Sequence, residues 1–264
     1  MNAMQAKFNL VITILTALIS LTACQTTKIE RLTGDTIGMV LMHGWGARTP
    51  YYLRKLAYDL KSAGILVKTP MMPWSKNRIF DRGYEESMEE IDDHVALLKK
   101  AGAIRIFVAG HSIGANAALG YAARRENIDG VILMAYGHVP DFNISGRMLA
   151  PSVARSRTMI GAGKGESSAM FTSTYDLVRG TANDILSWFD PDGPSTLWHN
   201  ARLVQPITPI LCIDGLYDRN QRCDHIYVLL PGKNSHSRFT TVEATHLETP
   251  NASFKEVIGW LRAL

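Results

Sequence analysis

The sequence carries little net charge and no internal repetition. Among its 264 residues, 28 lysines and arginines stand against 24 aspartates and glutamates, which gives a formal net charge of +4. No cluster of basic residues alternates with aromatic residues, so nothing favours nucleic-acid binding. The absence of repeats and low-complexity segments excludes repeat architectures and segments of biased composition. With 46% hydrophobic and 20% charged residues, the chain has the composition of an ordinary globular protein.

Cysteine and histidine are also scarce. The chain has three cysteines and eight histidines, and no group of them has the spacing of metal ligands. We therefore expect neither a metal nor another cofactor.

The N-terminal apolar stretch is too short to cross a bilayer as a helix. It runs from Phe8 to Leu21, follows the positive charge of Lys7, and has the length of a signal-peptide core. It ends in LTAC, whose last residue is Cys24, and this segment closely resembles the bacterial lipoprotein box. The resemblance implies cleavage before Cys24 and attachment of a lipid to its thiol. An ordinary export signal and a buried N-terminal helix are the alternatives.

The lipoprotein resemblance also predicts a location. Gln25, and not an acidic residue, follows the cysteine, and by resemblance to enterobacterial sorting this implies the outer membrane, facing the periplasm. We expect a lipid-anchored protein of the bacterial cell envelope. Its parts would be a signal peptide at 1–23, a polar tether at 24–35 and a folded domain at 36–264.

Two cysteines remain once Cys24 is lipidated. Cys212 and Cys223 would then lie in an oxidising compartment, where they could form a disulfide across a short loop. Because Cys212 lies in an apolar run, a buried free thiol is the alternative. Spacing alone does not decide between the two.

From residue 36 onward, short apolar runs alternate with segments of helical period. The period places Met88, Ile91, Val95 and Leu98 on one face of a helix. Strands that alternate with helices imply an α/β fold, with a doubly wound, mostly parallel sheet between two layers of helices. The apolar runs predict six strands, within 36–42, 64–70, 103–110, 130–137, 206–215 and 238–242.

One long segment interrupts this alternation. From about 141 to 205 no strong strand is predicted, and methionines and tryptophans are scattered among glycine, serine and arginine. Long inserts in compact domains are usually functional. We therefore expect a mobile, mostly helical cap over a site, with a surface excursion of no specified structure as the alternative.

A serine stands between two glycines after the third predicted strand. The segment GHSIG, at 110–114, fits the pattern G-x-S-x-G and opens the next helix, which is the context that this motif requires. Glycines on both sides allow a tight turn from strand to helix. The turn would lift the hydroxyl of Ser112 above the sheet, at a helix N-terminus that favours developing negative charge.

A nucleophilic serine needs a base, and the base needs an acid that orients it. Asp218 follows the fifth predicted strand and His246 follows the sixth. The chain order Ser112, Asp218, His246 is the order that accompanies this turn. Asp214 competes with Asp218 for the role of the acid, but it lies inside the end of its strand, so Asp218 is favoured.

Together these motifs resemble the α/β-hydrolase family over residues 36–264. The segment HGWG at 43–46 resembles the oxyanion loop of that family. The resemblance implies that the backbone N–H groups of Trp45 and Ile113 bind the oxyanion. The sequence departs from the family in leaving little room for two usual strands before Thr36, which puts the first edge of the sheet in doubt.

Two further histidines border these motifs. We interpret His111, whose side chain should point away from the turn, as a packing residue. His43 is better explained as a brace of the oxyanion loop than as a second base.

The resemblance implies a serine hydrolase that acts on a small molecule. We expect a carboxylic ester or thioester substrate, cleaved through an acyl-enzyme on Ser112. Trp45, Trp74 and the methionines of the cap favour an apolar acyl or aromatic group, although all of them could belong to the core. An amidase or peptidase of the same fold and a non-catalytic lipoprotein that uses the fold for binding are the alternatives.

Overall fold

The described part of the chain contains eight strands, nine α-helices and a short 3-10 helix at Tyr51–Leu53. The computed structural model describes residues 31–48, 51–232 and 234–264, so the predicted signal peptide, Cys24 and Gln25 lie outside the described residues. The strands are β1 (Ile37–Met42), β2 (Leu66–Lys68), β3 (Arg105–His111), β4 (Gly130–Met134), β5 (Ser168–Thr172), β6 (Leu177–Thr181), β7 (Ile210–Gly215) and β8 (Arg238–Val242). The helices are α1 (Arg54–Ser62), α2 (Tyr84–Lys100), α3 (Ile113–Ala122), α4 (Asn143–Gly161), α5 (Ala182–Phe189), α6 (Leu197–Leu203), α7 (Cys223–Leu229), α8 (Thr249–Ala252) and α9 (Phe254–Ala263).

Six of the strands form one parallel sheet in the order β2-β1-β3-β4-β7-β8. All six overlap predicted strands, and the prediction of a parallel α/β sheet is confirmed. Every residue of β1, β4 and β7 is buried, because helices cover both faces of a parallel sheet. The first edge of the sheet is β2, and within the described residues no strand precedes β1.

The register of the sheet brings the carboxyl ends of its strands to one edge. Met42 pairs with Gly110, His111 pairs with Met134, and Gly215 pairs with Val242. The loops that follow these strands therefore start side by side. In open α/β sheets ligands bind at this edge, outside the carboxyl ends of the strands.

Helix α2 confirms the predicted helical face, since Met88, Ile91, Val95 and Leu98 are all buried. Two glutamates in its first turn and two lysines in its last turn complement the helix dipole. At the C-terminal end of the described residues, Ser253 separates α8 from α9.

The segment between β4 and β7 holds more helix than strand, but it also contains two strands that were not predicted. It contains the helices α4, α5 and α6, but β5 and β6 also pair as an antiparallel hairpin. Phe171 in β5 and Val178 and Gly180 in β6 are the buried residues of the two strands. Such short strands with one partly buried face leave a weak pattern in the sequence. The bounds of 141–205 for a cap stay a prediction.

Cys212 and Cys223 form a disulfide that joins β7 to the first residue of α7. The alternative of a buried free thiol at Cys212 is therefore wrong. Spacing could not decide this, because the pairing depends on α7 folding back against the end of β7. As for membrane spans, no helix of the described residues has the length and apolarity to cross a bilayer.

Candidate active site

Ser112 occupies a strained turn between β3 and α3. Its backbone has φ of 56° and ψ of −121°, a conformation that side-chain-bearing residues avoid and that persists where the surroundings enforce it. A β-carbon on Gly110 would collide with the carbonyl of Gly114, and one on Gly114 would lie 2.6 Å from the carbonyl oxygen of His43. Both glycines are thus required by close backbone approach, as the G-x-S-x-G pattern predicted.

Two backbone hydrogen bonds attach the turn to β4 and to the loop that follows it. The amide of Ser112 donates to the carbonyl of Met134 at 3.1 Å, and the amide of Gly137 donates to the carbonyl of Ser112 at 3.2 Å. A β-carbon on Gly137 would lie 2.6 Å from Ser112 Oγ. Gly137 therefore leaves the space in which the hydroxyl lies, a role that no local pattern in the sequence indicates.

Asp218 and His246 meet at the same edge of the sheet. Asp218 Oδ2 lies 2.6 Å from His246 Nδ1, and the Asp218 side chain is 2% exposed against 26% for His246. Burial would raise the pKa of the Asp218 carboxyl, but hydrogen bonds from His246 and from the Asn220 amide outweigh it and lower the pKa. In the tautomer whose Nδ1–H donates to Asp218 Oδ2, Nε2 of His246 carries a lone pair that can accept a proton.

Asp214 binds backbone amides and not the imidazole of His246. Its Oδ2 accepts hydrogen bonds of 2.9 Å from the amides of Arg222 and Cys223 at the start of α7. Burial raises the pKa of its carboxyl, although these two bonds oppose the shift. Asp218, and not Asp214, contacts His246, which agrees with the preference for Asp218 in the sequence.

His111 brings the loop of His246 to the serine turn. His111 Nε2 donates to the carbonyl oxygen of His246 at 2.9 Å, and the two rings lie 4.9 Å apart. Burial lowers the pKa of His111 to about 3, so the ring stays neutral near pH 7. The interpretation of His111 as mere packing missed this contact, whose one sequence signal is its position beside Ser112.

Among the described residues, no hydrogen bond joins Ser112 Oγ to the imidazole of His246. Such bonds are often long without substrate.

The loop after β1 is braced by His43, as predicted. His43 Nδ1 donates to the carbonyl of Gly44 at 2.8 Å, and its Nε2 accepts the amide of Met72 at 3.0 Å. The indole of Trp74 donates to the carbonyl of His43 at 2.8 Å. Burial lowers the pKa of His43. These bonds use both ring nitrogens and leave His43 no free lone pair for a second base.

The two predicted oxyanion donors lie in the two loops that the strands bring together. Trp45 follows β1, and Ile113 is the first residue of α3. Within the described residues, the backbone N–H groups of both have no protein acceptor. Unpaired N–H groups at such a place can stabilise a developing negative charge.

The apolar residues that the sequence favours as substrate contacts lie in different places, some in the core and some at the surface. The Trp45 ring lies 4.7 Å from Phe80 and 5.8 Å from Tyr175, between centroids. Trp74 is a core residue, while Met148 and Met170 are each 46% exposed. In the described segments, no group of three histidine, cysteine or acidic side chains is arranged to hold a metal.

Several solved structures resemble the chain over most of its length. A metagenome-derived lipolytic enzyme matches with a TM-score of 0.62 and 17% identity, covering 90% of this chain and 99% of its own. A thermostable carboxyl esterase from Bacillus coagulans matches with a TM-score of 0.61 and 15% identity, covering 89% and 90%. A monoacylglycerol lipase from Paleococcus ferrophilus matches with a TM-score of 0.57 and 19% identity, covering 86% and 94%. No protein-family model and no curated protein matches the sequence. At these identities the likeness shows the fold, and the chain has the α/β-hydrolase fold that its motifs predicted.

Proposed function

We propose that the protein is a serine hydrolase that cleaves a carboxylic ester or thioester of a small molecule. One observation carries the proposal: Asp218 and His246 share a 2.6 Å hydrogen bond in a loop that His111 joins to the strained turn of Ser112. A protein that only binds ligands has no need for an oriented imidazole next to such a turn. Strained backbone is characteristic of functional sites.

In the proposed reaction, His246 Nε2 takes the proton of Ser112 while Oγ attacks the carbonyl carbon of the substrate. The carbonyl oxygen becomes an oxyanion that accepts hydrogen bonds from the amides of Trp45 and Ile113. The tetrahedral intermediate collapses, and the departing alkoxide or thiolate takes the proton from His246. Water then repeats the sequence on the acyl-Ser112 ester and releases the acid, while Asp218 holds the imidazole in its Nδ1–H form.

An ester rather than an amide is proposed because of the structural neighbours. The three described above are a lipolytic enzyme, a carboxyl esterase and a monoacylglycerol lipase. Similar folds support many reactions, so the neighbours support the proposal without deciding it. The site geometry alone is compatible with all three acyl derivatives.

The test is a set of ester, thioester and amide substrates with the same acyl group, at several acyl lengths. We expect turnover of the ester or thioester by the wild type and its loss in Ser112→Ala, with unchanged circular dichroism. Preferential amide cleavage would favour the amidase alternative. A folded wild type that hydrolyses none of them and reacts with no fluorophosphonate would favour a binding module.

We further propose that the protein is a lipoprotein, anchored through Cys24 to the bacterial cell envelope at the outer membrane. The support is the LTAC segment and the short apolar stretch before it. One acyl chain binds a membrane only marginally, so stable attachment needs several. We expect Cys24→Ser to stay unprocessed or to leave the membrane fraction. Mass spectrometry that finds an unmodified Cys24 in the mature membrane-bound protein would contradict the anchor.

A further inference from the structure

The base of the proposed hydrolase lies in a loop that is largely open to solvent. In the His246 loop, which we define as residues 243–248, Ala244 is buried, His246 is half-buried and the other four residues are exposed. A base must keep its distance from the nucleophile, because a displacement of about 1 Å can reduce a rate about 10²-fold. The loop therefore depends on attachments to the buried parts of the molecule.

Hydrogen bonds attach the His246 loop on both sides of the candidate site. Toward the acid, the amide of Tyr217 donates to the carbonyl of Ala244 at 3.0 Å, and the imidazole of His246 donates to Asp218. Toward the nucleophile, His111 Nε2 donates to the carbonyl oxygen of His246 at 2.9 Å. Among the described residues, no other hydrogen bond joins the His246 loop to residues 110–114. The link between base and nucleophile thus depends on His111.

His111 is itself held in place. It is the last residue of β3, directly before Ser112, and it is 1% exposed. A β-carbon on Gly44 would lie 2.8 Å from His111 Nδ1 and 3.3 Å from its Cε1, so the imidazole packs directly on the backbone of the loop after β1. That loop carries Trp45, one of the two proposed oxyanion donors. His111 therefore contacts the base on one side and the oxyanion loop on the other.

The ring of His111 is suited to hold a neighbour and not to exchange protons with it. Nε2 carries the proton, because a lone pair there would face the carbonyl oxygen of His246. Burial lowers the pKa of His111 to about 3, and a positive charge on His246 would lower it further, so His111 stays neutral when His246 takes up a proton. In the described part of the chain, His111 Nδ1 is buried without a hydrogen-bond partner. His111 is therefore not a second base for Ser112.

We propose that His111 is a positioning residue of this site: its hydrogen bond to the His246 carbonyl, together with its packing on Gly44, fixes the distance between the imidazole of His246 and the turn of Ser112. The proposal rests on the proposed function. Asp218 orients the imidazole, and His111 fixes the backbone that carries it. An interaction that keeps the base within reach acts in the transition state, so its loss should lower kcat and kcat/KM equally and leave KM unchanged.

The test uses two substitutions of His111 that differ in their hydrogen-bond donor. Leucine has no donor, whereas the side-chain amide of glutamine provides an N–H in place of the imidazole Nε2–H. On a short ester, His111→Leu should lower kcat by about 10²-fold at nearly constant KM, and His111→Gln should restore kcat to within about tenfold of the wild type. Fluorophosphonate labelling of Ser112 should fall and recover in parallel, because it also depends on His246 as the base.

The control is Ser253→Ala. It also removes a buried donor to a backbone carbonyl, that of Thr249 at 2.6 Å. It should lower the free energy of unfolding and keep the wild-type kcat. If His111→Leu behaves like this control, with lower stability and unchanged kcat, His111 only stabilises the fold and the proposal is overturned. A His111→Gln variant that folds and is as slow as His111→Leu also overturns it.

Two further results keep the test decisive. If neither His111 variant folds, NMR of the wild type with ¹⁵N-labelled histidine decides: a proton on Nε2 of His111 supports the proposal, and a proton on Nδ1 excludes the bond to His246 and overturns it. An active wild type with an equally active His111→Leu overturns this proposal alone. A folded wild type that hydrolyses no ester and takes up no fluorophosphonate overturns the proposed function, and the positioning role with it.

Discussion

The serine turn and the β5–β6 hairpin both border the candidate site, but they are built in opposite ways. In the turn, all residues of β3 after Arg105 and all residues of α3 are buried. In the hairpin, most residues are exposed or half-buried, and Tyr175 and Leu177 near its tip are 69% and 63% exposed. The turn is fixed by close backbone contacts with His43 and Met134, whereas the hairpin is attached to the core through Phe171 and Val178.

This difference implies a division of tasks. Reacting groups need fixed positions, since small displacements reduce the rate strongly. Ser112 accordingly lies between two elements that are almost entirely buried. The hairpin lines a cavity at Asp176, Leu177 and Val178, together with Trp45 and Phe80, and we expect changes there to leave the sheet intact. We expect the turn to carry the reacting groups and the hairpin to influence selectivity. The following experiments test this distinction.

The largest effect is expected from removing the reacting groups. Ser112→Ala and His246→Ala should each lower kcat by about 10³-fold or more, and the double variant should be barely slower than either, because the two residues act as one unit. Tyr175→Ala, at the hairpin tip, should change kcat by less than about tenfold. Steady-state kinetics on a short ester measures all four. Additive losses, or a comparable loss in Tyr175→Ala, would erase the distinction between turn and hairpin.

The next effect separates the two aspartates at the end of β7. Asp218→Asn should lower kcat by about 10³- to 10⁴-fold, since the imidazole loses the partner that fixes its tautomer. Asp214→Asn should leave kcat within about tenfold. It should instead lower the free energy of unfolding by about 1–3 kcal/mol, because the bonds to the amides of Arg222 and Cys223 weaken. Near wild-type turnover in Asp218→Asn would assign the acid to another residue.

A smaller effect, on stability, is expected from the disulfide that joins β7 of the sheet to α7. Cys212 and Cys223 are separated by 11 positions, and closing such a loop stabilises the folded state by about 2–3 kcal/mol. Denaturant unfolding of the wild type with and without a phosphine reductant should differ by this amount. Ser112 and His246 lie outside the loop. Asp218 lies inside it, but its hydrogen bonds with His246 and the Asn220 amide do not depend on the disulfide, so the reduced protein should keep its turnover under native conditions. Equal midpoints, or loss of activity on reduction alone, would contradict this expectation.

The smallest effect is expected in the hairpin. Ser173 Oγ donates to the carbonyl of Asp176 at 2.7 Å and accepts the amides of Tyr175 and Asp176 at 3.1 and 2.9 Å. Ser173→Ala should speed amide hydrogen exchange about tenfold within residues 168–181 and change the global unfolding free energy by about 1 kcal/mol or less. The control, Ser62→Ala, removes an exposed hydroxyl of α1. A global loss of several kcal/mol in Ser173→Ala would show that the hairpin belongs to the rigid part.

The sheet could be predicted because its strands and helices leave strong local patterns. The runs at β1, β3, β4 and β7 are apolar almost throughout, and α2 repeats Met88, Ile91, Val95 and Leu98 at helical period. The serine turn could be predicted because two close backbone approaches each admit only glycine. Chain order then identified the Asp218–His246 pair, which the hydrogen bond between them supports.

The features that escaped prediction depend on contacts between distant parts of the chain. The bond from His111 to the carbonyl of His246 spans 135 positions, and no local pattern indicates it. Nothing in the sequence around Gly137 indicates that its missing side chain leaves room for Ser112 Oγ. The hairpin was missed because its half-exposed strands resemble loop sequence.

The most direct measurement is the position of a covalent adduct. The wild type is treated with a fluorophosphonate probe, digested and analysed by tandem mass spectrometry. The phosphonate should be found on Ser112, with labelling slowed by about 10³-fold or more in His246→Ala and absent in Ser112→Ala. Labelling of another serine, or equal labelling in His246→Ala, would contradict a hydrolase whose nucleophile is Ser112.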